Sequence, residues 1–297
     1  MTLTTISKII ALLFLCIISS FSQLHSQTIK GLVQDEKGKP ISFCSVGLYG
    51  KGLGTVTNEH GIFEFSEKQV AGVTKLKISH VAFEDQDVSI VDMQSHTGWF
   101  IITMKEKLND TGTYFITGDS YNDKMVLGSR RAKKGALRAS DMAINRGEIM
   151  GNSFIISKPS LLDEFRFKVK LNQCEKAKFR IHIIEMKDDE VTSNELLRED
   201  LFVNIDSTGW YSADLEQFNL VVTYNVLMGL EFLGVKGCPL EFLEEKTPYA
   251  ALMEGYETPY KIFLANYQNM YVRPNNTREW LRMTSFGGLA FQLIIYQ

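Results

Sequence analysis

The sequence predicts an all-β protein of two domains, a small antiparallel sandwich followed by a larger jelly-roll-like β-sandwich. Three observations predict it. Gly52–Phe65 (GLGTVTNEHGIFEF) reads as strand, tight turn, strand: Thr55, Val56 and Thr57 are β-branched, Asn58–Gly61 is turn chemistry, and Ile62, Phe63 and Phe65 resume a strand, which makes the stretch a scaffold hairpin. Glu164–Leu171 alternates strictly, with Phe165, Phe167 and Val169 facing a core and Arg166 and Lys168 facing water. Tyr224–Val235 is strongly apolar, as a central strand should be.

The N-terminus reads as an address. Met1–Lys8 carries one positive charge, Ile9–Phe21 is an apolar run, and Ser22–Gln27 is small and polar. This is the pattern of a secretory signal peptide over 1–27, cleaved after Ser22, Ser26 or Gln27. The run is short for a spanning helix, which needs about 20 apolar residues. Leu15 precedes Cys16, where a lipobox wants a small residue, so lipidation is not expected. The mature chain is expected to carry no transmembrane segment and to act in the periplasm, at the outer membrane or on the cell surface. Its charge is nearly balanced, 32 basic against 35 acidic residues. That balance gives no basic excess with which to neutralise phosphates, and no nucleic-acid partner is expected. Beyond the leader lie Cys44, Cys174 and Cys238. An odd count cannot close a full disulfide framework, so buried free thiols are the preferred reading, with a Cys174–Cys238 pair the alternative.

The first domain runs over 28–106. Ile29–Asp35 is a strand, Glu36–Pro40 a Gly/Pro turn, and Ile41–Tyr49 a second strand region. Gly50, Gly52 and Gly54 form a loop that no helix follows, which excludes a phosphate-cradling P-loop. Lys75–Ser79 alternates charged and apolar, and Gln86–Val91 and Trp99–Met104 supply further strands. The motif Gly31-x-Val33-x-Asp35, Gly38-x-Pro40-Ile41, Gly54-Thr55-Val56-Thr57-Asn58-x-x-Gly61-x-Phe63-x-Phe65 and Leu76-x-Ile78-Ser79 resembles the carboxypeptidase-regulatory-like domain, from which the chain departs at His80 and Ala82. The resemblance implies a prealbumin-like, seven-stranded Greek-key sandwich. It also implies a structural or binding module of exported Bacteroidetes-type proteins, with no catalysis of its own.

Residues 107–146 read as a linker, with a strand candidate at Thr113–Thr117 and a basic segment at Ser129–Arg138. From 147 to 297 the strands lengthen: Lys176–Met186 places Phe179, Ile181 and Ile183 inward, and Asp200–Ile205, Thr208–Leu215, Pro259–Leu264 and Leu289–Tyr296 complete a jelly-roll-like double sheet. Gly147-Glu148-Ile149-Met150-Gly151, Phe179–Ile184, Gly209-Trp210-Tyr211 and Gly229-Leu230-Glu231-Phe232 are similar to the C-terminal sandwich that follows the regulatory module in Bacteroidetes exported proteins.

Catalytic chemistry is hard to find. His182-Ile-Ile-Glu185 matches the H-x-x-E of zinc carboxypeptidases, but residues i and i+3 of a strand face opposite ways, and no histidine follows His182 to complete three ligands. His182 is instead expected on the polar face of its strand. No cofactor, metal or catalytic residue is expected, and the protein is not expected to be an enzyme; a cryptic hydrolase is the least favoured reading. Asp188–Glu190 reads as a hairpin loop. Glu231, in an apolar strand, needs either a wet face or an arginine, with Arg273, Arg278 and Arg282 as candidates. Aromatic and basic residues in two loops, Tyr249, Tyr256, Tyr260, Tyr271, Arg273, Arg278 and Trp280, form the candidate ligand or partner surface; the competing reading is that these aromatics cover the sheet ends. The expected function is a non-catalytic exported binding or assembly protein that recognises an envelope protein or a glycan. The alternative is a carbohydrate-binding module of a polysaccharide-uptake system.

Overall fold

Among the described residues, seven strands lie between Thr28 and Met104: β1 (Thr28–Asp35), β2 (Ser45–Leu48), β3 (Gly54–Val56), β4 (Ile62–Ser66), β5 (Lys75–His80), β6 (Phe83–Ser89) and β7 (Phe100–Met104). The structure, a computed structural model, describes residues 28–91, 100–107, 121–128, 146–172, 174–237, 262–264, 270–283 and 290–297. The expected seven-stranded sandwich is present as two sheets, ordered β4-β1-β7 and β3-β2-β5-β6. Val33, Phe63, Phe65, Ile102 and Met104 of the first sheet pack against Val46, Leu48, Leu76 and Ile78 of the second. One turn of helix, α1 (Glu67–Val70), is closed by a capping box between Ser66 and Gln69.

Two expectations change here. β1 and β7 pair in parallel, so the sandwich is not wholly antiparallel. The Gly52–Phe65 stretch is a corner rather than a hairpin, because β3 pairs with β2 while β4 pairs with β1 in the other sheet. The turn chemistry is as expected. Asn58 Oδ1 accepts from the amides of His60 and Ile62 at 2.9 and 3.0 Å, and Gly61 sits at φ +73°, where a Cβ would lie 2.5 Å from the Val33 carbonyl. Thr57 completes the corner: its buried hydroxyl accepts from the Cys44 amide and donates to the Ile41 carbonyl, both at 2.9 Å.

The larger sandwich comprises β8 (Lys124–Gly128), β9 (Ile149–Phe154), β10 (Ser160–Asn172), β11 (Lys176–Lys187), β12 (Glu190–Glu195), β13 (Phe202–Ile205), β14 (Gly209–Asp214), β15 (Val221–Val222), β16 (Val226–Lys236), β17 (Ile262–Leu264), β18 (Met270–Arg273), β19 (Leu281–Met283) and β20 (Phe291–Tyr296). One sheet runs β14-β10-β20-β8, with β15 and β17 also on β10; the other runs β12-β11-β16-β9-β18-β19, with β13 also on β11. β16 is internal, as its apolar sequence requires. Phe165, Phe167 and Val169 face Phe179, Ile181, Ile183, Leu230 and Phe232 across an apolar core. The stretch expected to be a linker supplies β8, which pairs with β20 because Met125–Leu127 complete the edge of that sheet. Thr113–Thr117 and the basic segment Ser129–Arg138 lie outside the described residues. Cys44 is free and buried, but Cys174 is disulfide-bonded, which overturns the preferred reading of all three thiols as free. Among the described residues no helix is long and apolar enough to cross a membrane.

The two sandwiches pack sheet face to sheet face. In the smaller one, the alternation that buries Val46, Leu48 and Ile78 in the core turns Ser45, Gly47, Lys77 and Ser79 outward, onto the larger one. The turn between β18 and β19, Asn275–Thr277, is pressed into this surface. Asn276 Nδ2 reaches the Ser45 carbonyl, the Lys77 carbonyl and Ser79 Oγ, all at 2.9 Å. Asn275 Nδ2 donates to the Leu53 carbonyl at 2.6 Å, and Thr277 Oγ1 to that of Leu48 at 3.3 Å. Only glycine fits opposite this turn: a Cβ at position 47 would overlap Asn276 Oδ1 and lie 2.7 Å from Thr277 Cγ2. Gly47→Ala is therefore expected to destabilise the protein by about 1–3 kcal/mol through overpacking. Urea unfolding should show its cost falling by at least ~0.5 kcal/mol in an Asn276→Ala background. Strictly additive costs would show that the turn does not press on Gly47.

Candidate functional site

The outer face of the β11-β16-β9-β18 sheet is where the sequence-level puzzles converge. Cross-strand register lines up Arg180, Glu231, Ile149 and Arg273 in one row, and His182, Gly229, Gly151 and Tyr271 in the next. These are the residues that alternate with the core positions of their strands. In an isolated sandwich they would face water. Here the smaller sandwich covers them, and Arg180, His182 and Glu231 are 1%, 8% and 0% exposed.

A buried charge needs partners, and each has them. Arg180 Nη1 donates to Glu231 Oε2 at 2.9 Å and Nη2 to the Phe43 carbonyl of the smaller sandwich at 2.7 Å. Its Nε lies 2.7 Å from Asp200 Oδ1, an ion pair whose angle is not that of a hydrogen bond. Glu231 Oε1 accepts a hydrogen bond from Ser45 Oγ across the interface. His182 places Nδ1 2.6 Å from Glu195 Oε2 and Nε2 3.0 Å from Glu231 Oε2. His80, from the smaller sandwich, places Nε2 3.2 Å from Asp200 Oδ2 while its Nδ1 accepts from the Ala82 amide at 3.2 Å. Lys178 Nζ sits over the rings of Phe43 and Phe202, which meet edge to face at 5.3 Å between centroids.

These partners assign the protonation states. Both ring nitrogens of His182 face carboxylates, so it is an imidazolium. Burial alone would lower its pKa, but Glu195 and Glu231 outweigh burial and raise it to about 9. Burial would raise the Glu231 carboxyl, yet the Arg180 guanidinium, with His182 and Ser45, holds it down at about 2. His80 is neutral: burial lowers its pKa against the pull of Asp200, and an Nδ1 that accepts an amide proton requires the Nε2–H tautomer. Burial pushes the Cys44 thiol up to about 12, so it is a packing group and not a nucleophile.

Beside this cluster a cavity of about 130 Å³ lies between the sandwiches. Its walls include Lys77, Ser79 and Lys107 from one side and Ile149, His182, Glu195, Arg273 and Asn276 from the other; exposed Asp85 and Ser193 mark its mouth. Among the described residues, no group of three or more His, Cys, Asp or Glu is arranged to hold a metal ion.

The residues nominated from sequence fall differently. Tyr249, Tyr256 and Tyr260 lie outside the described residues. Tyr271 is not a surface platform: it is 4% exposed and packs with Ile184, Met186 and Leu227, with Trp280 against them. Arg273 stacks over Trp280 at 5.9 Å and Arg282 over Tyr271 at 5.9 Å, while Arg278 donates to the Gly50 carbonyl at 3.2 Å. None of these three arginines is the ion-pair partner of Glu231. That partner is Arg180, directly opposite on the neighbouring strand. His182, expected on a wet face, is buried, and Glu185 turns away from it to accept from Asn194 Nδ2 at 2.8 Å. Asp188 and Asp189 do form a hairpin turn, both with positive φ. Sequence reasoning missed Ser45, His80, Arg180, Glu195 and Asp200. The available signal was alternation: Arg180 and His182 occupy the same face of a strand whose other face is core, and Glu231 does so on another.

These assignments set a pH dependence. The raised pKa of His182 gives stability that is full below its unfolded value of about 6.5 and lost as pH rises through about 9. Glu231 gives stability that is full above about 4.5 and lost as pH falls through about 2. His80, with a lowered pKa, adds a loss as pH falls below about 6.5. Thermal midpoints should therefore peak near about pH 6.5. In His182→Gln the fall between about pH 7 and pH 9 should flatten; an alkaline limb as steep as that of the unaltered protein would contradict the imidazolium assignment.

No curated protein matches the chain. Solved structures similar to it include the clostridial cysteine protease Cwp84 after propeptide cleavage (12% identity, TM-score 0.37, 59% of this chain and 40% of that one) and the cysteine protease and lectin-like domains of Cwp84, a surface layer associated protein of Clostridium difficile (11%, 0.32, 51% and 32%). The chain thus spans less than half the length of either, and scores this low do not establish a shared fold. The match to a family model is of another kind. It covers the seven-stranded sandwich with its Asn58–Gly61 corner: residues 29–114 match the CarboxypepD_reg-like domain.

Proposed function

We propose that the protein is an exported, non-catalytic binding or assembly protein of the bacterial cell envelope, recognising a protein or glycan partner. One observation carries this reading. The buried ionisable groups that would be the first candidates for catalysis hold the two sandwiches together instead. Both ring nitrogens of His182 and both carboxylate oxygens of Glu231 are engaged within the protein, which leaves neither a free general base nor a free nucleophile there. The CarboxypepD_reg-like match and the signal-peptide pattern at 1–27 support the non-catalytic and exported parts of the reading.

The carbohydrate-binding alternative has one observation in its favour. Trp210 on β14, outside the candidate surface drawn from the sequence, is 42% exposed, with Lys168 Nζ 5.9 Å from its ring centre. An open indole face flanked by a polar head is suited to stacking on a sugar ring.

Fractionation of the native host separates these readings. The envelope reading expects a chain shortened at its N-terminus and recovered with the envelope, in a complex that survives detergent extraction. Recovery of the unprocessed chain in the cytoplasm would contradict it. Retention on a specific glycan, lost on Trp210→Ala, would select the carbohydrate-binding alternative. Turnover of a peptide or ester panel that is abolished by a single substitution would overturn the non-catalytic reading itself.

A further inference from the structure

We infer that the cavity between the two sandwiches binds a small oxyanion, a carboxylate- or phosphate-sized group, between Lys107 and Arg273. The two cations come from different domains. Lys107 follows β7 in the smaller sandwich and Arg273 ends β18 in the larger, and both line the cavity. The other cations on its walls are matched by carboxylates. Lys77 pairs with Asp85 at 2.9 Å, Arg180 with Glu231 at 2.9 Å, and His182 with Glu195 at 2.6 Å. Among the described residues, Lys107 and Arg273 have no carboxylate at ion-pair distance, and Arg273 lies over the Trp280 ring. Lys107 Nζ reaches the carbonyls of His80 and Val81 at 3.3 Å each, and Arg273 Nη2 that of Asn276 at 2.9 Å.

Both heads keep donors to spare, since an ammonium has three protons and a guanidinium five N–H groups. Asp85 and Glu195 act on both cations, and Glu231 on Arg273, only at longer range. Burial outweighs these carboxylates and lowers the pKa of both half-buried groups, as for cations partly withdrawn from water with no ion-pair partner among the described residues. An oxyanion between them would supply the missing partner through charge-assisted hydrogen bonds, with Ser79 and Thr192 as further polar groups on the wall. A volume of about 130 Å³ admits a group of this size. The inference is independent of the envelope reading, because it concerns a site inside the molecule whatever the outer surfaces recognise.

Titration calorimetry on the full chain, with inorganic phosphate and with acetate in low-salt buffer near about pH 6.5, tests it. The expected result is saturable one-site binding of at least one of the two anions. Arg273→Gln and Lys107→Met should each weaken it by about tenfold or more. Ser193→Asp is the variant that protects the test against misfolding. Ser193 is exposed at the mouth, so an acidic group there should repel the anion while leaving the unliganded melting midpoint unchanged. Ser193→Asn, of similar size and uncharged, should bind as the unaltered protein does. Binding of phosphate alone would narrow the ligand class to tetrahedral anions. Absence of saturable binding of either anion, or unchanged affinity in Ser193→Asp, would overturn the inference.

Discussion

The arrangement of the two sandwiches depends on the burial of one guanidinium. Arg180 is among the largest fully buried side chains of the protein, and it lies between the domains rather than inside either. A cation in that position cannot be left to an apolar surface. It draws Glu231 from the neighbouring strand, Asp200 from the segment before β13, and the Phe43 carbonyl from the other sandwich. Glu231 in turn brings in His182 and Ser45, and Asp200 brings in His80. A buried ion pair is weak evidence for stability, since an apolar pair of the same volume often does as well. Its consequence here is directional. A hydrophobic contact between two sheet faces tolerates sliding and rotation, whereas a guanidinium with two hydrogen-bond acceptors and a further carboxylate, shared between two domains, does not.

Much of this was legible in the sequence. The corner residues Asn58 and Gly61, the alternation of Phe165, Phe167 and Val169, and the apolar run that became β16 each follow a local rule, and the structure obeys it. What failed was mostly a relation between distant segments. The stretch around Gly61 has the same turn chemistry whether its strands pair with each other or with strands of different sheets, so the sandwich corner read as a hairpin. β7 joins β1 in parallel because it arrives after the whole second sheet, which no window of residues reveals. β8 read as linker because five residues with a single lysine carry too little pattern to mark an edge strand.

The candidate site failed for a related reason. Polar residues alternating with a core face are normally read as wet, and that assumption sent the search for the partner of Glu231 into loops. A second domain covers this face instead, and the partner lies directly across the strand. Tyr271 and Trp280 illustrate the same point from the apolar side: as loop aromatics they suggested a recognition platform, whereas they pack on Ile184, Met186 and Leu227. The interface also accounts for Gly47, whose missing side chain is the space that Asn276 fills. Recognition of a partner by such a body would rest on a fixed relation between the two sandwiches, and pre-organisation of that kind lowers the entropic cost of binding.

The central claim is that the Arg180 cluster makes one cooperative unit of two sandwiches that each have a core of their own. Scanning calorimetry of the full chain and of Arg180→Met tests it most directly. The unaltered protein should melt in a single transition whose calorimetric and van't Hoff enthalpies agree. Removing the cation leaves Asp200 with the neutral His80 and Glu231 with His182 alone, at a cost of about 3–5 kcal/mol, and should split the profile into two transitions. Two resolved transitions in the unaltered protein, or an unchanged profile in Arg180→Met, would contradict the account.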